Sequence, residues 1–362
     1  MTGLAGLRIA LVGPLPPPSG GMANQTRQLA VLLRGAQAEV CLVQSNARCR
    51  PAWAERIPVV RAVFRLLPFV HALWRAAGGS DLLHVMANSG WSWHLFAAPA
   101  IWIGRLRQVP VVVNYRGGEA AEFLARSGRL VRYSMLRAAS LVVPSGFLVE
   151  VFARHGLPAQ IVPNVVDLGR FHAGTGAPLA APRIVVARNL EPIYDNETAL
   201  RAFAIVLERL PAARLTIAGT GPEQPRLHTL AGALGIQANV TFSGRLERDA
   251  MASMLRECSV ALNPSRVDNT PNSVLEALAS GVPVVSTRVG GVPHIVEDGV
   301  TALLVPPQDP VAMAAAVLRV LGDPALARSL AQAGLRAVKA FEWGAVAPTL
   351  ADVYRHALRA GA

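Results

Sequence analysis

Residues 260–286, VALNPSRVDNTPNSVLEALASGVPVVS, spell a strand, a helix and a second strand in succession, and that order leaves few folds open. Val260–Asn263 is a short apolar run, and Pro264–Asn269 is its exit loop. Thr270 is placed to cap a helix opening on Pro271: a hydroxyl can accept from a free first-turn N–H, and proline has no N–H to lose. Val274, Leu275 and Leu278 make the apolar face of that helix. Gly281 suits the position just past its end, and Pro283 stops it. The buried strand Val282–Ser286 follows. Strands joined through a helix run parallel, so the expected class is α/β with parallel sheets.

The same alternation occupies both halves of the 362 residues, a length suited to two domains. The first half offers strands at Leu7–Val12, Val40–Val43, Leu82–Val85, Val109–Val113, Ser140–Val143 and Ile161–Val162. A Pro/Gly loop, Pro14–Gly21, leads into a helix at Met22–Leu33. The second half offers Arg183–Ala187, Leu215–Ala218, Val240–Phe242, Val260–Asn263, Val282–Ser286 and Ala302–Val305, then a terminal helix at Ala345–Arg359. Residues 173–182, AGTGAPLAAP, read as the linker. The expected organisation is a Rossmann-like domain over 1–172, a second over 183–344, and a terminal helix over 345–362 that can pack back on the first. Open α/β sheets bind ligands beyond their carboxyl strand ends, so two facing domains offer a cleft between them.

Composition narrows the classes. Apolar residues make up 52% of the chain and charged residues 16%, ample for buried cores. The net charge of +12 is lopsided: residues 1–170 hold 18 arginines, no lysine and 7 acidic groups, whereas 171–362 hold 17 basic and 16 acidic groups. An Arg-rich base composition by itself would explain this, and so would an acidic partner of the first half: nucleic acid, an anionic lipid or a phosphorylated acceptor. Cys41, Cys49 and Cys258 fit no zinc spacing and suit a reducing, cytoplasmic setting. Met1–Val12 lacks the pattern of a signal peptide, and Trp91–Gly104, broken by Ser92 and His94, is too short to span a membrane. The first turn, Gly13-Pro14-Leu15-Pro16, lacks the dinucleotide fingerprint, which argues against an NAD-dependent oxidoreductase. Aromatics do not interleave with basic residues as a nucleic-acid platform requires, so no nucleic-acid partner is expected.

Candidate site residues gather at the expected strand ends. Asp268 lies in the loop after Val260–Asn263, and Glu276 lies eight residues on, inside the helix. A helix start attracts anions, and a carboxylate accepts from sugar hydroxyls. Gly219 and the pair Gly290-Gly291 close other strands, and the latter precedes Pro293 as if opening a helix. Arg188 follows Arg183–Ala187; Gly20 and Gly21 follow the first strand; His84 and Arg116 belong to Asp81–His84 and Val112–Gly118.

In order and spacing, these segments resemble family 4 glycosyltransferases of the GT-B fold, from Ile9 to about Asp309. The acidic signature of that family has two glutamates separated by seven residues, and here the pair is Asp268 and Glu276. The resemblance implies two facing Rossmann-like domains, with Glu276 on the donor ribose and Asp268 near the transferred sugar. It implies Arg188 on the leaving diphosphate, although the lysine that follows in the family is replaced by the run Glu191–Asn196. Gly219, Arg245, Leu246, Asn272, Gly290 and Gly291 fall in its donor-binding segments. Gly20, Gly21 and His84 fall on the acceptor or phosphate side, and Arg116 occupies the slot where many relatives have an active-site histidine.

The implied activity is retaining transfer of a sugar from a nucleoside-diphosphate-sugar to a glycan or lipid-linked acceptor in polysaccharide assembly. Front-face displacement is expected, with no metal and no cofactor. Arg61–Arg75, RAVFRLLPFVHALWR, is basic and apolar, which suits peripheral contact with an anionic membrane at the inner face of the cell membrane, with Pro68 as an interruption. The alternatives are a nucleotide-sugar epimerase and a catalytically degenerate GT-B binding protein.

Overall fold

The computed structural model describes residues 3–17, 20–47, 58–174 and 181–361, except the side chains of 58–63 and 361. Pro18 and Ser19 of the first loop, Cys49, the Arg61 side chain and 175–180 of the expected linker lie outside the described residues. The chain divides into two compact units, Met1–Val165 with Trp343–Ala362, and Val166–Glu342.

Unit 1 runs β1 (Arg8–Gly13), α1 (Gly21–Gly35), β2 (Glu39–Gln44), α2 (Pro58–Gly78), β3 (Leu82–Ala87), α3 (Ala98–Leu106), β4 (Val111–Tyr115), α4 (Ala120–Met135), β5 (Ser140–Val143), α5 (Gly146–Arg154) and β6 (Gln160–Ile161). Its six strands pair in the order β2-β1-β3-β4-β5-β6, all parallel. Successive residues of a strand point to opposite faces. Ala10 and Val12 enter the core that holds Phe69, Leu73, Trp93 and Phe152, whereas Ile9 and Leu11 enter the core on the other face. Helices cover both faces, so the strands read as unbroken apolar runs rather than alternating ones.

Unit 2 runs β7 (Arg183–Val186), α6 (Asn196–Arg209), β8 (Arg214–Ala218), α7 (Gln224–Ala233), β9 (Val240–Gly244), α8 (Arg248–Arg256), β10 (Val260–Asn263), α9 (Asn272–Ala279), β11 (Val284–Thr287), β12 (Leu303–Val305), α10 (Pro310–Gly322) and α11 (Pro324–Ala337). The order is β12-β11-β10-β7-β8-β9, again all parallel. Strand order reverses between β1 and β3 in unit 1 and between β7 and β10 in unit 2. These are the topological switch points, where an open sheet leaves a crevice at its carboxyl edge.

The last helix, α12 (Trp343–Gly361), belongs to unit 1. Val346, Leu350, Ala351 and Tyr354 are buried with Ile9, Leu11 and Leu33. The division of the chain corrects the expected boundaries. Unit 2 begins at Val166, not beyond a linker at 173–182, because Val166 and Phe171 pack into its core with Val185 and Leu278. Pro68 does not interrupt α2 either: the helix runs through it, with Phe69, Leu73 and Ala77 buried one turn apart.

Candidate active site

Every unit 2 residue singled out from the sequence, apart from Asn272 and Glu276 on α9, leaves the sheet at its carboxyl edge. The centre is the switch point between β7 and β10. Arg188, two residues past β7, forms an ion pair through Nη2 with Asp268 in the β10 exit loop. The side chains of both are only 10% exposed. The same Nη2 lies 3.2 Å from Ser265 Oγ, and the Arg188 guanidinium lies over the Tyr194 ring at 4.0 Å. Burial pushes the Asp268 carboxyl above its ordinary range, while Arg188, Ser265, the Asn269 backbone N–H and Asn263 pull the other way. Arg188 Nε is buried with no hydrogen-bond partner among the described residues, and such an orphan donor in a native fold calls for an acceptor from outside.

The loops that hold this pair are tightly interlocked. Ser265 Oγ donates to Asn263 Oδ1 (3.1 Å), Asn263 Nδ2 to Ser286 Oγ (3.0 Å), and Thr287 Oγ1 to Ser265 O (2.6 Å). Arg266 N–H donates to Ile193 O (2.8 Å), tying the β10 exit to the segment where the lysine was missing. Two glycines are dictated by contact. A Cβ on Gly219 would run into Arg188 O, and one on Gly290, at φ +50°, would run into Asp268 O.

Two expectations need correction. Pro271, not Thr270, occupies the cap position of α9 and makes no side-chain cap bond, so the helix opens one residue later, at Asn272. Its far end is as expected: Gly281 has φ +68°, Gly281 N–H reaches Leu278 O and Val282 N–H reaches Ala277 O. After Gly291 there is no full helix but a single 3₁₀ turn, Val292–His294. The Gly291 N–H already donates to Asp268 O at 2.9 Å, so a phosphate does not find it free.

Glu276 sits on α9, half-buried. Burial pushes its carboxyl up to about 7, against the pull of Arg248 and Arg170. Ser273, three residues earlier and so on the same side of the helix, has a buried Oγ without a partner among the described residues. No sequence motif marks Ser273 or Tyr194; the one signal for Tyr194 is its place in the run that replaces the lysine. Arg245 is exposed and Leu246 half-buried in the β9 exit, and Asn272 is the first residue of α9.

In unit 1, Arg116 follows β4 and engages Asn114, Gln25 and Asn164. Gly20 and Gly21 stand at the start of α1, with open space where a Cβ would lie. His84 does not belong on the acceptor or phosphate side. It is fully buried, with Asn114 Nδ2 at 3.1 Å from Nε2 and Tyr354 Oη at 2.8 Å from Nδ1. Asn114 Oδ1 accepts from Arg116 Nε, so the Asn114 amide donates to Nε2, which places the His84 proton on Nδ1, toward Tyr354. Burial, with Arg116 nearby, lowers His84 to about 3, so it stays neutral and ties β3 to α12. Among the described residues no three His, Cys, Asp or Glu side chains are grouped to hold a metal ion.

Two family models match in tandem. Glycosyltransferase Family 4 matches residues 19–170, and Glycosyl transferases group 1 matches residues 170–336. A D-inositol 3-phosphate glycosyltransferase of Segniliparus rotundus is 30% identical over 256 residues, covering 67% of this chain and 57% of that protein. A glycogen synthase of Mycobacterium tuberculosis is 29% identical over 279 residues, covering 73% and 67%. The chain spans about half the length of the first curated relatives it matches. Among solved structures, a sucrose-phosphate synthase from Thermosynechococcus elongatus aligns with a TM-score of 0.79 at 24% identity, over 96% of this chain and 98% of that one. Anabaena Alr3699/HepE in complex with UDP aligns with a TM-score of 0.75 at 16% identity, over 96% and 99%. Two parallel six-stranded α/β units, with these neighbours matching along nearly the whole length, make this the GT-B fold.

Proposed function

Because the chain belongs to the family 4 glycosyltransferases, we propose that it transfers a sugar from a nucleoside-diphosphate-sugar to a glycan or lipid-linked acceptor, with retention at the anomeric carbon. The observation that carries the proposal is the buried Arg188–Asp268 pair at the switch point of unit 2, with the unmet Arg188 Nε–H. A guanidinium held there can fork to the oxygens of a departing diphosphate. Glu276 and Ser273, on one side of α9, supply an acceptor and a hydroxyl for the ribose. The protein then works by positioning reactants and stabilising charge as it develops. The leaving diphosphate itself takes the acceptor proton in a front-face displacement.

The curated relatives act, by name, in sugar transfer, and HepE is solved with UDP and with UDP-glucose. UDP is therefore the first nucleotide to test. Calorimetry with UDP, GDP, ADP and NAD is expected to show one nucleoside diphosphate binding in the micromolar range, ~8 kcal/mol, and no binding of NAD. Binding of NAD alone would sink the proposal, and an inverted product anomer would sink its retaining mechanism.

We further propose that the protein is cytoplasmic and touches the membrane peripherally through α2. No single helix among the described residues is long and apolar enough to cross a membrane. Away from its buried face, α2 presents Phe64, Leu67 (65% exposed) and Trp74 (42%), the last with the Arg107 guanidinium over its ring at 4.9 Å, a basic and apolar surface that suits the interfacial zone. Leu67→Glu with Trp74→Glu is expected to weaken sedimentation with phosphatidylglycerol vesicles by about tenfold or more. Equal sedimentation of variant and parent would remove the membrane from the proposal.

A further inference from the structure

Tyr194 lies in the run that replaces the family's lysine, and its ring is set against the cation of the candidate site. The Arg188 guanidinium carbon stands 4.0 Å from the ring centroid, within the distance at which a ring face attracts a cation. Of the three guanidinium nitrogens only Nη2 is engaged, by Asp268 and Ser265. Nε is buried without a partner, and Nη1 makes no hydrogen bond among the described residues. An anchor at one nitrogen leaves the plane of a guanidinium free to swing about it. The ring face removes that freedom, because the planar cation is held best when it lies over the ring. Burial raises the Tyr194 hydroxyl above its ordinary range, although Arg188 pulls it down, so the ring is neutral at neutral pH. A lysine at this place would set a second positive charge against Arg188, whereas a neutral ring attracts it.

The chain grips this ring from both sides. Pro192–Tyr194 is a single 3₁₀ turn, closed by Tyr194 N–H to Glu191 O at 3.0 Å. On one side of Tyr194, Ile193 O accepts from Arg266 N–H at 2.8 Å. On the other side, the buried Asp195 carboxylate takes Arg266 Nε and Nη2, each at 3.2 Å, and accepts from Thr198 Oγ1 at 2.8 Å. Asp195 stands at φ +44°, in the left-handed region that a non-glycine residue enters at a cost, and the two-pronged Arg266 contact offsets that cost. Arg266 shares its loop with Asp268, the partner of Arg188. The contacts therefore close a circuit: Arg188 to Asp268, along the chain to Arg266, across to Asp195 and Tyr194, and back to Arg188.

We propose that Tyr194 is a positioning residue of the leaving-group site: its ring fixes the plane of the Arg188 guanidinium, so that Nε and Nη1 are set for the diphosphate before it arrives. A preset guanidinium loses little freedom on binding, so more of its attraction appears as affinity. The inference rests on the transferase proposal only for the identity of the oxyanion; the ring contact and its support belong to the folded chain. The Tyr194 hydroxyl has no part in it. Phenylalanine therefore does the same work, and leucine, which fills space without a ring face, does not.

The test is calorimetric titration of UDP and of uridine into the full chain, for the parent, Tyr194→Phe and Tyr194→Leu, with GDP and guanosine or ADP and adenosine in their place if the parent prefers them. Tyr194→Leu is expected to weaken UDP binding by about tenfold and to leave uridine within about twofold, since only the diphosphate meets Arg188. Tyr194→Phe is expected to keep both within about twofold. Equal UDP affinity in Tyr194→Leu and the parent overturns the inference. So does a loss shared by UDP and uridine, which would mean a general disturbance of the fold, and so does a Tyr194→Phe loss as large as that of Tyr194→Leu, which would assign the effect to the hydroxyl. A second readout needs no ligand: the Arg188 Nε–H resonance of the ¹⁵N-labelled chain, assigned by its absence in Arg188→Lys. It is expected to be sharp in the parent and in Tyr194→Phe and broadened in Tyr194→Leu; a resonance unchanged in Tyr194→Leu overturns the inference. Failure of the parent to bind UDP, GDP and ADP overturns the transferase reading instead, and the resonance still decides whether the ring positions Arg188.

Discussion

Glu276→Gln is expected to weaken nucleoside-diphosphate binding by about 10–100-fold, the worth of hydrogen bonds to a charged acceptor, while making the folded chain more stable above pH 7. Both effects have one cause. Burial holds the Glu276 carboxyl up at about 7, so the folded state binds its proton more tightly than the unfolded chain does. A raised acid contributes no penalty below its unfolded pKa, loses stability as pH rises toward 7, and carries the full cost above it. Glutamine removes that cost, about 3 kcal/mol at pH 8 for a carboxyl raised from 4.5 to about 7, and the difference closes below about pH 4.5. Binding runs the other way: only the carboxylate accepts from both ribose hydroxyls, so parent affinity falls as pH drops through 7 while the variant is flat. Calorimetry and thermal unfolding between pH 4.5 and 8.5 check both arms. A parent whose affinity ignores pH would remove Glu276 from the donor site.

Arg188→Ala is expected to be destabilised by about 3–5 kcal/mol, because it strands a buried carboxylate, and to lose about 10²–10³ in kcat. The double variant Arg188→Gln with Asp268→Asn separates these effects. With both charges gone, no unpaired ion remains, and stability is expected to return to within about 2 kcal/mol of the parent. Turnover is not expected to return, because the neutral pair offers the leaving diphosphate no charge. Urea midpoints and steady-state rates on the three proteins decide it. Recovery of turnover together with stability would mean that Arg188 serves the fold and not the leaving group.

Much of the fold could be read along the chain. β5 and β10 fall on the residues expected of them, Ser140–Val143 and Val260–Asn263, since each is a short apolar run closed by proline and a small polar residue. β11 begins two residues later than expected, at Val284. Val282 spends its N–H on the end of α9, and Pro283 has none to give. β4 likewise begins after Pro110 rather than at Val109. Strand edges slip where a neighbouring element or a proline takes the ladder's hydrogen bond, which a run of valines does not reveal.

The candidate site was legible residue by residue but not as contacts. Arg188 and Asp268 both stood out in the sequence, yet nothing in it said that they would pair with each other across 80 positions. His84 looked like an active-site group because it ends a strand. Its partner Tyr354 is 270 positions away, and only the docking of α12 on unit 1 shows that both ring nitrogens are used. Ser273 and Tyr194 belong to no motif at all.

The sequence by itself determined what repeats locally: the period of buried strands and helices, the Gly281 and Pro283 stop, the count of two α/β sheets, and the lopsided charge. These depend on each residue's neighbours along the chain. Only the tertiary structure decided where the units divide, which charges are met and which are left open, and which titratable groups serve the fold. Those outcomes depend on burial and on partners distant in sequence. A side chain's charge, proton and hydrogen bonds are set by the dielectric and the groups that the fold brings around it.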